Sequence, residues 1–144
     1  MKKILLIVLL ALVLLTTGCG SKKLTKDNCT DYLKVNVNMK FNDYYDYPIE
    51  HYKTVIFTID VSPKVSNCVF KDAVITVAIS GEFTNDLYIN YNYYYECSIS
   101  VSETGDGHIQ RKVNIDDISP SAYAFDFGKS KIKLLDAKGK VKNK

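Results

Sequence analysis

The sequence predicts an all-β domain built as a two-sheet antiparallel β-sandwich of about seven strands. Three observations predict it. Several runs alternate apolar and polar side chains with period two, the mark of half-buried strands. No run after residue 28 sustains the 3.6-residue apolar spacing of an amphipathic helix. The alternating runs are separated by short Gly-, Pro-, Asn- and Asp-containing stretches of hairpin length.

The chain opens differently. Met1, Lys2 and Lys3 form a cationic start, and Ile4 to Leu15 carry no polar side chain. Twelve helical residues span about 18 Å, well short of the ~30 Å hydrocarbon core, so a permanent transmembrane helix is disfavoured. Leu15, Thr16, Thr17 and Gly18 then lead into Cys19. A basic start, an apolar stretch and small residues are the parts of a signal peptide. The run from Leu15 to Cys19 resembles the lipobox of bacterial lipoproteins, departing from it at Thr16, where Leu is commonest. The resemblance implies that residues 1–18 are removed, that Cys19 becomes the new N-terminus, and that its thiol carries a diacylglycerol, with palmitate as the expected label. An ordinary secretory signal cut nearby is the alternative. Acyl chains contributing about 0.8 kcal/mol per buried CH₂ would hold the protein to a membrane.

Gly20 to Asp27 is polar, so residues 19–27 read as a lipidated cysteine and a flexible tether, with Lys22 and Lys23 beside the headgroups. Residues 28–144 read as one folded unit. Without Lys2 and Lys3 the 19 basic residues fall to 17 against 16 acidic ones, so the net charge names no partner class. All the basic residues except Arg111 are lysine, and Asn, Ile and Tyr are plentiful, a usage that suits a low-GC bacterium. The opening of the domain, Leu24 to Asn28 followed by Tyr32 and Leu33, is similar to the start of uncharacterised lipoproteins of low-GC Gram-positive bacteria. That likeness implies a location, the extracytoplasmic face of the plasma membrane, and no activity.

In the first strand Leu33, Val35, Val37, Met39 and Phe41 share one face. Asn42 to Tyr52, with Pro48, reads as a loop or short edge strand. Val55, Phe57, Ile59 and Val61 line the next strand, and Pro63 to Asn67 turns the chain. Ala73, Ile75, Val77 and Ile79 follow, with Val74, Thr76 and Ala78 on the opposite face, so this strand is expected to be central. After Gly81 a long strand places Ile89, Tyr91, Tyr93, Tyr95, Cys97, Ile99 and Val101 inward and Tyr88 and Tyr94 outward. Glu103 to Gly107 makes a hairpin loop; Ile109, Val113 and Ile115 return, with Arg111 interrupting their face. A turn at Asp116–Ser121 precedes Tyr123, Phe125 and Phe127, and Ile132 to Leu135 form a last strand before a Lys-rich tail. Strands at this spacing fit an immunoglobulin-like or related topology.

Once Cys19 is acylated, Cys29, Cys68 and Cys97 remain in a compartment where disulfides persist. Cys68–Cys97 is the candidate inter-sheet bridge, Cys29–Cys68 its alternative, and three free thiols the third possibility. Spacings of 39 and 29 residues with no C-x-x-C speak against zinc, and no cofactor motif is present. His51 and His108 are the two imidazoles, and Gly105 to Gly107 is explained by a turn without chemistry. The chain therefore reads as non-catalytic.

Two surfaces stand out. Tyr44, Tyr45, Tyr47 and Tyr52 crowd a short acidic segment, and Tyr supplies contact area at low entropic cost. With Tyr88 and Tyr94 these are the candidate contacts for a glycan or protein ligand. The tail sets seven lysines, from Lys129 to Lys144, against Asp136 alone, a charge that suits anionic lipid, a cell-wall polyanion or edge-strand protection. Nucleic acid is excluded by compartment. The leading function is a lipid-anchored binding or scaffold module at the cell surface. A structural or accessory lipoprotein docking a membrane or cell-wall partner is the alternative, and a small surface enzyme the third class.

Overall fold

A computed structural model describes residues 20–45, 51–85, 87–118, 122–127 and 131–144. Two antiparallel sheets face one another as a sandwich of eight strands. The elements are β1 (Lys22–Lys23), α1 (Lys26–Tyr32), β2 (Leu33–Tyr45), β3 (His51–Pro63), β4 (Cys68–Asn85), β5 (Asn90–Val101), β6 (Gly107–Asn114), a 3₁₀ turn (Ile115–Asp117), β7 (Ala122–Asp126) and β8 (Ile132–Asn143). Sheet A runs β1-β8-β4-β5, with β7 pairing the far end of β4; sheet B runs β2-β3-β6. Setting β1 aside, sheet B has the first-second-fifth order of an immunoglobulin domain. Sheet A departs from that pattern, because its last strand pairs directly with β4. The topology is related to the immunoglobulin one and not identical with it.

The predicted faces hold. Val55, Phe57, Ile59 and Val61 of β3 are buried against Ala73, Ile75, Val77 and Ile79 of β4. β4 is central, flanked by β5 on one side and by β8 and β7 on the other. Its length of 18 residues forces a correction of phase. Cys68 and Phe70 point inward, and so do Ala73 and Ile75, although simple alternation would turn the second pair outward. A bulge restores the phase: Lys71 pairs Lys140 and Val74 pairs Lys138, leaving Asp72 and Ala73 opposite Gly139 alone. Asp72 takes φ 50° there and Gly139 φ 121°. A second shift, at Leu135, does the same for β8, whose inward set passes from Leu134 to Ala137 and Val141.

Several expectations are corrected. The segment after Gly20 is no flexible tether. Lys22 and Lys23 pair with Val141 and Lys140, and Leu24 is wholly buried with its N–H donated to the Gly139 carbonyl at 2.9 Å. Asn28 then accepts the Thr25 N–H and donates to the Lys23 carbonyl, fixing the start of α1. The Lys-rich tail is a strand: Ala137, Gly139 and Val141 face in while Lys138, Lys140 and Lys142 face out. β5 begins at Asn90 and has 12 residues, so the longest strand is β4, and Gly81 lies inside it. A Cβ on Gly81 would collide with the Asp126 carbonyl and stand 2.5 Å from the Phe125 ring. That glycine is the space in which β7 closes the core. Around it Phe57, Phe83, Tyr93 and Phe125 pack as an aromatic cluster, with Phe57 stacked on Tyr93 at 5.3 Å and Phe83 against Phe125 at 4.6 Å.

Gly139→Val tests the bulge. Its Cβ would stand 2.6 Å from the Ala73 Cα, in a backbone conformation that β-branched residues avoid. The expected loss is roughly 2–4 kcal/mol, read as a lower urea midpoint with an unchanged m-value.

Candidate functional site

The sandwich has two unlike ends, set by strand direction. β4 starts at Cys68 beside Asn143 and finishes at Asn85, while β3 runs the opposite way, from His51 to Pro63. The β1–β8 pairing therefore lies at one end, and the β2–β3 and β4–β5 hairpins lie at the other. From Lys71 to Asn85 the separation is about 45 Å at ~3.3 Å per residue.

At the hairpin end, Asn85 is buried and braces the turn. Its Oδ1 accepts the N–H groups of Leu87 and Ile89, both at 3.1 Å, while its carbonyl accepts the Tyr88 N–H at 2.9 Å. Tyr88 sits at φ 56°, a conformation held by these bonds. The outcome is a fixed tip presenting three apolar side chains: Leu87 is 75% exposed, Tyr88 82% and Ile89 46%. Tyr88 thus belongs to the turn and not to the strand face predicted for it.

The tyrosine-rich segment is also placed differently from the predicted loop. β2 and β3 continue as paired strands with Tyr44 opposite Tyr52 and Tyr45 opposite His51. Tyr47, and the side chains of Tyr44, Tyr45 and Tyr52, lie outside the described residues. By backbone placement the structure brings Tyr44, Tyr45, Tyr52 and Tyr88 to the same end. Tyr94 is separate: it is 62% exposed on the outer face of sheet A, opposite Ser80. Leu87 and Ile89 were missed as surface residues because alternation alone carries β5 back through them.

Arg111 stands opposite Phe57, on the inward side of edge strand β6, and resolves that placement by reaching out over the rim. Its guanidinium lies 5.1 Å from the centre of the Tyr95 ring. The neighbouring Tyr93 hydroxyl is buried with no close hydrogen-bond partner among the described residues, beside the Arg111 side chain. Burial pushes its pKa up, with Arg111 opposing the shift.

The two imidazoles do not share a site. His108 Nδ1 lies 2.7 Å from Asp60 Oδ1 across the β3–β6 pairing, in the open. His51 is nine residues from Asp60 along β3, about 30 Å away. Gly105 occupies the β5–β6 turn at φ 97°, where Ser102, Thr104 and Asp106 bond to one another.

Neither predicted disulfide is compatible with the fold, and Cys29, Cys68 and Cys97 are free. Cys97 pairs with Val77, nine residues along β4 from Cys68, so the two sulfurs belong to one sheet and stand about 30 Å apart. Cys29, on α1, shares a surface hollow with Val77 and Leu134, whereas Cys68 lies at the other end of the β4–β8 pairing, beside Asn143. Cys68 instead donates to Asn143 Oδ1 at 3.4 Å. Cys19 lies outside the described residues.

No family model, curated protein or solved structure matches the chain. The surfaces at the two ends are accordingly read from their own geometry.

Burial raises the pKa of the Cys29 thiol, against a small opposing effect of Lys64, and raises that of Cys97 against a hydrogen bond from Tyr95. The folded state holds these protons more tightly. The stability they contribute is full below the ordinary thiol range and is lost as pH rises through the raised folded values. Without reductant the residue 20–144 segment should show three alkylatable thiols after unfolding, and at neutral pH Cys29 and Cys97 should alkylate at least about tenfold more slowly in the folded protein than in urea. A mass lower by two hydrogens before reduction would show a bridge instead.

Proposed function

We propose that the protein is a membrane-anchored extracytoplasmic lipoprotein acting as a non-catalytic binding or scaffold module, with the β4–β5 tip and the neighbouring ends of β2 and β3 as its contact surface. The observation that carries the reading is the polarity of the sandwich. The residues next to Cys19 are tied into one end by β1 and Leu24. The exposed tip of Leu87, Tyr88 and Ile89 stands at the opposite end. An acyl chain on Cys19 leaves Gly20 and Ser21 as the whole connection to the fold, about 7 Å of extended chain. The membrane then lies against the β1–β8 end, and the hairpins project away from it.

The tip has the properties of a contact surface. Its three apolar side chains are exposed together, yet the backbone beneath them is held by a buried asparagine, so little ordering entropy is lost on binding. Tyr in such a position offers a face for a sugar ring or a peptide side chain.

Three measurements test the two halves of the proposal. Radiolabelled palmitate should enter the wild-type chain and be lost in Cys19→Ala; equal labelling of both overturns the anchor. For the contact surface, p-benzoylphenylalanine placed at position 88 on intact cells should give discrete cross-linked adducts, whereas at position 36, on the outer face of sheet B, it should give none. Equal adduct yields at both positions would remove the tip as the contact. Leu87→Ser with Tyr88→Ser should abolish the adducts' native counterpart, ligand capture, while changing stability by less than about 0.5 kcal/mol, because both side chains are exposed.

A further inference from the structure

We propose that the outer face of sheet A at the β1–β8 end is a docking surface for the phosphate groups of an anionic lipid bilayer, seating that end of the domain on the membrane while the hairpins still point away from it. It rests on the anchored reading only for where that membrane is. At its centre is a row of lysines. Lys23 of β1 stands opposite Lys140 of β8, and Lys140 stands opposite Lys71 of β4. Directly opposed residues of antiparallel strands project from the same face with Cβ atoms about 4.5–5.5 Å apart. Three ammonium groups are thus carried side by side across three strands. All three lysines are exposed and none makes an ion pair among the described residues. Asp72, at the bulge beside Lys71, and Glu103, whose carbonyl accepts the Phe70 N–H, are neighbouring carboxylates, and neither makes an ion pair with the row among the described residues.

Like charges directly opposite one another destabilise a sheet. A local rule broken without a compensating contact inside the protein points to a compensating contact outside it. The complement of this row is a layer of negative charge. Two shallow depressions, of about 600 and 380 Å³, flank Lys71 and Lys140. Lys142 and Lys144 line the larger one with Val69, so ammonium groups ring a patch of apolar ground. Lysine stems lying on such ground with their heads turned outward suit headgroup depth. Ser21 lines both depressions. It is two residues from Cys19, which sets the lysine face beside the point where acyl chains would enter the bilayer. The charges lie on an open sheet face and not in a closed pocket, so a continuous phosphate surface fits them better than a single small anion.

The test compares the full chain reconstituted into vesicles of phosphatidylcholine alone and into vesicles that also contain phosphatidylglycerol. Its leader or its acyl chains hold it to both, so the difference reads the lysine face, while the intact mass separately reads acylation. Lysine acetylation is followed residue by residue. On phosphatidylglycerol Lys23, Lys71 and Lys140 should react about fivefold or more slowly, and Lys34 and Lys40, on the outer face of sheet B, should react alike on both. Equal rates for the row overturn the proposal. It is also overturned if phosphatidylglycerol gives no protection and an added cell-wall phosphate polymer does, since the partner is then the wall. Lys140→Glu sets a carboxylate between two lysines. It should abolish the lipid-dependent protection of Lys23 and Lys71 and raise Tm by about 2–5 °C. Protection of Lys23 and Lys71 left intact in Lys140→Glu would overturn the row as the contact, and a lower Tm would overturn the strained like-charge row from which the contact is argued.

Discussion

A strand of 18 residues cannot keep one face toward the core of a twisted sandwich unless its phase is corrected, and β4 makes that correction at Asp72 and Ala73. The bulge lets Phe70 and Ile75 be buried by the same core. It also fixes where β8 must lie, because the two bulged residues need a partner without a side chain, and Gly139 is that partner. With β8 held in register, its Val141 and Lys140 receive β1, and the Gly139 carbonyl receives the Leu24 N–H. The glycine thus stands under the bulge, under the closure of sheet A and under the attachment of the N-terminal residues. Few substitutions elsewhere would disturb as much.

The same strand sets the two ends apart. Its first half carries the lysine row, and its last residue, Asn85, holds the apolar tip. Between them the core changes character, from aliphatic packing around Ile75 and Val77 to the aromatic cluster around Phe57, Phe83 and Phe125. Rings fill the space where β7 replaces β8 beside β4, and Gly81 gives Phe125 its place there. The rigidity of the tip follows, since the hairpin grows directly out of this cluster.

Much of the fold was legible in the residues. Period-two patterns in Leu33–Phe41, Val55–Val61 and Ala73–Ile79 were sufficient to orient three strands and to mark β4 as central. What a pattern of faces does not contain is which strand pairs with which. The lysines of β8 alternate with Ala137, Gly139 and Val141, a strand signature in plain sight, yet the weak apolar content of Ala and Gly hid it behind the charge. Lys22 and Lys23 carry no strand signal, because two residues paired to an edge have no period to show. The row of Lys23, Lys140 and Lys71 exists only in the register, so no reading of the chain alone could assemble it. Cysteine pairing failed for the same reason: inward parity places Cys97 on the right face, but distance along β4 decides whether Cys68 can reach it.

The position of β8 also has a consequence for the order in which the molecule is made. Residues near 22 and near 141 are neighbours in one sheet, although nearly the whole described chain lies between them. Closing so long a loop is slow, and it cannot begin before the residues beyond Lys131 have been delivered. During synthesis the first half of β4 waits with one edge bare, since β5 covers only the other. Bare edges recruit strands from other molecules. The late-arriving segment is studded with lysines at alternate positions, which keep it in solution and repel its own copies until it finds the gap. The last strand to arrive is thus also the one least able to aggregate on the way.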